Sequence, residues 1–461
     1  MIKNKITKLN GELETILNSF KTKGSFTRNF SYLFSGKLLT VVLSLVVTPI
    51  LTRIYSPEAY GYFSFFNAVA MNFAVVSTLS YEKALIIINT RKKFYNLLFA
   101  CFLLTFILAF ILYLIFQLLY FREGIFKLEL GLDQLFIHLI VIACILYSLT
   151  IILSNWNIRK SQFKFAAKNG VISQVGSRFS SLILGFISAP IFGLALSEII
   201  SKSIIIFSNF RKNIYSEWKI IQRNVDFNEM KIVIKEQAAY PKFILPSTYI
   251  NTLINQLPIF FITLQFGKEI LGHYSLAVSI LYLPIIVITN SLSSVVIKRI
   301  NELKDNGQVL KQFVSRITLL LFIVTTPFFI IMILASKSLF PFFFGQNWSL
   351  AGVFGTIIGF YAIIDIFLIF SNSLMLVFKK ERVVFKYQIL QLLCSLLGLL
   401  PGYLLNSFQI ALIGYGMVYF IFGLIKVQVS YRLINLQYTI QFTAIFLLLM
   451  LVLFSQLNLT F

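Results

Sequence analysis

The chain has 461 residues; 58% are apolar, 50 are Phe, only 12% are charged, and the mean hydropathy is +0.85. Soluble globular proteins carry about 25% charged residues, so that class is excluded, together with disordered chains and disulfide scaffolds. The net charge of +23 would suggest nucleic acid in a soluble protein. Here it suggests the Lys and Arg that collect in cytoplasmic loops of membrane proteins, and no nucleic-acid partner is expected.

The first 28 residues are polar and basic, with no apolar core or small-residue cleavage site of a signal peptide. Within them, residues 6–20 are weakly amphipathic and predict a short helix lying on the inner leaflet. A bilayer core about 30 Å thick needs about 20 apolar residues per helix. Apolar runs of that kind occur at 29–51, 61–80, 94–120, 132–154, 168–188, 190–209, 238–264, 273–297, 314–336, 350–378, 385–405, 409–430 and 440–457. Only helices satisfy their own backbone in lipid at this length. The expectation is an all-α polytopic protein of twelve spans, with a thirteenth at the C-terminus.

With the N-terminus inside, inner segments and their edges hold 31 Lys/Arg and outer segments hold 5. That asymmetry sets the orientation. The longest inner segment, 210–237, is basic and polar and reads as a linker between two halves. The expected organisation is therefore a cytoplasmic segment at 1–28, a first lobe at 29–209, the linker at 210–237, a second lobe at 238–430 and an extension at 431–461.

The halves carry an internal echo. Tyr55, Glu58, Gly61, Phe63 and Ser64 are matched by Phe266, Glu269, Gly272, Tyr274 and Ser275, an offset of 211 residues. Both segments follow the first span of their half. Six helices between them give the halves the same orientation, so the repeat axis runs along the membrane normal.

The outer loops are short, the longest spanning roughly 121–131, and no Walker, CxxC or HExxH sequence is present. His138 and His273 are far apart, and Cys101, Cys144 and Cys394 sit in apolar runs. No metal site, disulfide framework, cofactor or catalytic residue is expected, and any chemistry must sit among the helices.

Ionisable groups inside a bilayer are expensive and tend to be functional. Arg178 lies about 15 Å into the fifth span at 1.5 Å per residue. The sixth span returns after a turn near Ala189 and Pro190 and brings Glu198 and Lys202 to a similar depth. These two are i,i+4 neighbours. One reading is an internal salt-bridge cluster that lets the charges sit in lipid; the other is a wet cationic site that holds an anion. Lys37, two turns into the first span, and Lys242, near the inner end of the seventh, either snorkel to the interface or join that site. Arg53 closes the first span as an anchor or a further cation. Asp365, in the middle of the tenth span, must pair, protonate or face water, which makes it a candidate for ion coupling with Glu198. Glu82 and Lys83 predict an interfacial pair. Pro49, Pro241, Pro246, Pro258, Pro284, Pro327 and Pro401 mark kinks, and Gly355 and Gly359 permit close helix contact. More cation than anion in the membrane fits a transporter for an anionic substrate.

The segment SGKLLTVVLSLVVTPILTRIYSPEAYGYFS at 35–64 resembles the start of bacterial polysaccharide (Wzx-type, O-antigen or capsule) flippases, as do YEKALII at 81–87 and the second-lobe opening YPKFILPSTYINTLINQLPIFFITLQFGKEILGHYSLA at 240–277. The loop FFFGQNWSLAG is similar to that family's Gly-x-x-Trp loop. The resemblance runs from about 29 to 430 and points to the multidrug/oligosaccharidyl-lipid/polysaccharide exporter superfamily. It implies two six-helix lobes around a central cavity and alternating access. It also implies flipping of an undecaprenyl-pyrophosphate-linked oligosaccharide across a bacterial cytoplasmic membrane, by a monomer, with a glycan polymerase and export machinery as further partners. Lys37 matches a position where related flippases carry a basic cavity residue. No motif carries a role onto Arg178, Lys202 or Asp365. The alternatives are a drug/cation antiporter of the same superfamily, which should have a more acidic cavity, and a membrane glycan polymerase, which needs a large outer loop.

Overall fold

A computed structural model describes residues 26–121, 134–187, 191–436, 449–453 and 455–456. The amphipathic stretch 6–20, the loop 122–131, the turn at 189–190 and most of the thirteenth span, 440–457, lie outside the described residues.

Among the described residues the fold is helical. Helix α1 is Phe26–Ile54, α2 Pro57–Ser77, α3 the short Tyr81–Ala84, α4 Arg91–Phe121, α5 Gln134–Arg159, α6 Phe163–Phe186 and α7 Gly193–Asn209. Helices α8, Tyr215–Asn224, and α9, Phe227–Glu236, follow. The second half comprises α10, Leu245–Leu303; α11, Gly307–Phe344; α12, Ser349–Ala362; α13, Ile364–Val377; α14, Glu381–Leu404; and α15, Phe408–Arg432. The local signals are ordinary ones. Ser56 caps α2 by accepting from the Ala59 N–H, with Pro57 at the first helical position. Ser407 and Asn306 cap α15 and α11 in the same way.

Ten helical stretches among the described residues are long and apolar enough to cross a membrane. The twelve spans expected reduce to this tally at two places. Helix α6 is 24 residues long but carries Asn169, Ser173, Gln174, Ser177, Arg178, Ser180 and Ser181, so its composition is more polar than that of the ten. The seventh and eighth spans are two helices that meet at a kink at Gly267, where φ is +82°, and they count as one stretch only because no loop parts them. Glycine takes that conformation without the Cβ penalty other residues meet.

The linker is also more ordered than its polarity suggests. Residues 210–214 form a π turn, and α8 and α9 dock on α4. Glu217 accepts from the Tyr95 hydroxyl at 2.6 Å and pairs with Lys160 at 2.5 Å. Lys92 pairs with Glu229 and Lys93 with Glu236. Beneath them Asn157, Asn209 and Asn213 form a buried amide network.

Helix α2 runs antiparallel along the first part of α10. The Lys83 ammonium donates to Thr248 at 2.7 Å, Asn72 donates to Gln256 at 2.6 Å, and the Phe65 and Phe260 rings meet edge to face. Near Pro57 the two echo segments touch. A Cβ on Gly61 would lie 1.8 Å from the Lys268 carbonyl oxygen, and one on Gly272 1.7 Å from that of Pro57. Trp348 closes this end, donating to the Thr52 carbonyl at 2.9 Å and meeting the rings of Tyr60 and His273.

Glu82 and Lys83 do not form the expected pair. The buried Glu82 carboxylate accepts instead from the Thr78 hydroxyl, four residues back, and Lys83 reaches α10. Adjacent residues on a helix face different directions, which is why the pair fails.

Candidate functional site

Two polar sites lie within the helical body, one in each half. The first is built on α1, α5, α6 and α7. Helix α1 packs closely on α6; Gly36 sits against Ala167. The Arg178 guanidinium on α6 donates to the Ser44 hydroxyl on α1 at 3.1 Å, and Gln174, one turn earlier, also reaches that hydroxyl, at 3.4 Å. Arg178 Nε is buried and makes no hydrogen bond among the described residues. A buried N–H without a partner is uncommon and calls for an explanation.

On α7, Lys202 pairs with Glu198 at 2.9 Å, as the i,i+4 spacing predicts. The Lys202 ammonium also sits 4.3 Å above the Tyr147 ring. The Tyr147 hydroxyl lies 2.6 Å from Asn67 Oδ1 and 2.9 Å from the Glu198 carboxylate. Glu198 lies within Coulombic reach of Arg178, and Lys37 within that of Lys202. Arg178 on α6 and Lys202 on α7 therefore share one carboxylate, with Lys37 of α1 in reach of Lys202.

Arg53 and Lys242 do not join this group. Arg53 is exposed in the last turn of α1, and Lys242 is exposed in the π turn that precedes α10. Neither side chain makes a hydrogen bond or ion pair among the described residues.

The second site is a half-open cavity of about 430 Å³ lined by α10, α12, α13, α14 and α15. Asp365 lines it; Lys37, Arg53, Arg178, Glu198, Lys202 and Lys242 do not. The Tyr419 hydroxyl donates to Asp365 Oδ1 at 2.7 Å, and the Tyr282 hydroxyl donates to the same carboxylate. Lys426 projects into the cavity within Coulombic reach of Asp365, without an ion pair. Asn251, Asn255 and Gln391 add side-chain amides to the wall.

Sequence reasoning found Asp365 but missed its neighbours. Lys426 counted there as one more inner-segment cation. The Tyr415-x-x-x-Tyr419 and Asn251-x-x-x-Asn255 pairs, each on one helix face, were the available signal for a polar stripe.

A family model described as polysaccharide biosynthesis protein matches residues 50–353. No curated protein matches the sequence. Among solved structures, the lipid II flippase MurJ in its inward closed conformation is similar at 15% identity and a TM-score of 0.65, over 92% of this chain and 93% of that one. A variant of the Vibrio cholerae MATE transporter VcmN is similar at 13% identity and a TM-score of 0.59, over 91% and 97%. An inward-facing multidrug-resistance MATE transporter of the MOP superfamily gives 12% and 0.57, over 89% and 95%. At these identities the likeness is one of fold.

Proposed function

The chain belongs to the polysaccharide biosynthesis protein family, and from that membership and its transporter fold we propose that it flips an undecaprenyl-pyrophosphate-linked oligosaccharide from the inner to the outer leaflet. The observation that carries this reading is the Arg178 guanidinium, buried with its Nε–H unpartnered and backed by Lys37 and Lys202. A planar guanidinium suits phosphate oxygens, and an ammonium adds a point charge. The first-half site then holds the pyrophosphate, while the prenyl tail stays in lipid and Arg53 and Lys242 serve the approach to it.

Alternating access requires the halves to separate and rejoin. In this structure α2 and α3 are joined to α10 from Lys83–Thr248 at one end to Gly61–Lys268 at the other. We read it as a closed state, in line with the inward closed conformation named for the similar lipid II flippase. Substrate can shift such an equilibrium only by its differential affinity for the two states. Asp365, held by two tyrosine hydroxyls, is the carboxylate best placed to couple an ion to that shift, with Glu198 as the second.

The test is the sidedness of lipid-linked oligosaccharide in cells deleted for the gene. Restoring the wild type should move the pool to the outer leaflet and restore surface polysaccharide. Lys37→Ala and Arg178→Ala should fail to do so. Full transport by both variants would remove the cationic site from the mechanism. Outward-facing but unpolymerised units in the deleted cells would point to an enzyme acting later.

A further inference from the structure

The second-half cavity has a chemistry of its own. Its charged groups are Asp365 and Lys426, of opposite sign and within Coulombic reach of each other. A phosphate entering there would meet the Asp365 carboxylate; an organic cation would meet the Lys426 ammonium. Like charges brought together out of bulk water are costly, so the cavity disfavours a charged cargo group of either sign, whereas a proton taken up by Asp365 removes a charge instead of adding one. An uncharged ligand with many hydroxyls meets neither penalty.

The remaining wall suits such a ligand. Asn251, Asn255 and Gln391 each bring a side-chain amide, which both donates and accepts; that of Asn255 already donates once to the Asn251 carbonyl, at 2.9 Å, and keeps its second N–H for a ligand. Lys426 offers donors that no other described group uses, and the Asn251 and Asn255 side chains are exposed to the space. Tyr282 and Tyr419 also line the space; both hydroxyls donate to Asp365, and that of Tyr419 lies 3.3 Å from Asn255 Oδ1 as well. At about 430 Å³ the cavity falls in the usual range of small-ligand sites, roughly 300–1,000 Å³.

We propose that this cavity is a subsite for one uncharged sugar ring of the cargo. The proposal rests on the flippase reading above and deepens it: the first half holds the charged head group, and the second half reads the first sugars. Lys426 and the three amides then discriminate by hydrogen bonding. A site built this way rejects ligands that leave its polar groups unpaired.

The test uses the full-length protein in nanodiscs. Two lipids are compared by equilibrium binding: the lipid-linked oligosaccharide purified from cells deleted for the gene, and bare undecaprenyl pyrophosphate. The wild type should bind the glycosylated lipid at least tenfold more tightly. Lys426→Met and Asn255→Leu should each remove most of that preference while leaving affinity for the bare lipid unchanged. Gln391→Leu provides a third variant should either of these fail to fold. Equal wild-type binding of the two lipids would overturn the subsite, as would variants that keep the preference. Variants that lose the bare lipid as well would assign the cavity to phosphate instead. Binding of neither lipid by the wild type, or no accumulated oligosaccharide in the deleted cells, would overturn the flippase reading itself.

Discussion

Gly61 and Gly272 stand in a reciprocal contact. Gly61 lies against the carbonyl of Lys268, and Gly272 against the carbonyl of Pro57. Lys268 is the 211-residue counterpart of Pro57, as Gly272 is of Gly61. Each segment thus offers the other the same surface, the self-complementarity found at a two-fold interface. The ten-residue echo in sequence is here a point of physical contact.

That contact leaves no space for a methyl group. Gly61→Ala or Gly272→Ala would force two backbones apart, and overpacking of this kind costs about 1–3 kcal/mol. Each variant should lower the thermal midpoint in detergent and weaken a disulfide engineered between α2 and α10. Unchanged midpoints and cross-linking would show that the two segments separate without cost.

Trp348→Phe tests the same end of the molecule. Phe keeps an aromatic body against Tyr60 and His273 but loses the indole N–H that donates to the Thr52 carbonyl. The expected loss is about 1–3 kcal/mol, because a buried carbonyl is left without its donor. A midpoint equal to that of the wild type would mean that the ring contacts alone hold the loop.

Asn157→Ala should destabilise the first half. Its amide donates to Asn209 and accepts from Asn213, all three buried. Removing it takes one bond from each partner and leaves between them only the 3.3 Å bond from Asn213 to Asn209, and a buried hydrogen bond contributes about 0.5–1.5 kcal/mol. Asn157→Asp offers the sharper comparison, since it keeps the acceptor but loses the donor. Hydrogen exchange at α7 and α8 should rise in the Ala variant; unaltered exchange there would remove the network from the stability of the linker.

Glu82 gives a pH dependence outside the membrane-spanning helices. Burial pushes its carboxyl above the ordinary range, and the bond from Thr78 only partly offsets this. A raised folded-state value means that stability is fully present below the unfolded carboxyl pKa, near about 4.3, and is lost as pH rises through the folded one. Glu82→Gln should therefore be more stable than the wild type at pH 8, with the difference closing toward pH 4. A pH-independent difference between the two midpoints would contradict this account.

Much of the molecule is legible in its amino acids. The apolar runs dictate helices because lipid offers the backbone no partner. The i,i+4 spacing of Glu198 and Lys202 dictates their pairing, and it is found at 2.9 Å. Gly355 and Gly359 mark a close approach, and both lie against α11, at Ser336 and Ile333. Family membership follows from the first-lobe and Gly-x-x-Trp segments, within or overlapping the matched residues.

What tertiary structure alone decided is which faces meet. Periodicity assigns a residue to a side of its own helix but is silent on the neighbour that side will touch. Nothing in the sequence ties Lys426 to Asp365, or Asn72 to Gln256 across 184 residues. Nor does it separate Arg53 and Lys242 from Arg178, since all are basic residues in or beside apolar spans. Their fates differ because only Arg178 is on a helix whose polar face packs against Ser44 and shares its surroundings with Glu198. Helix propensity and hydrophobicity act within a segment; the sites arise where four or five segments converge.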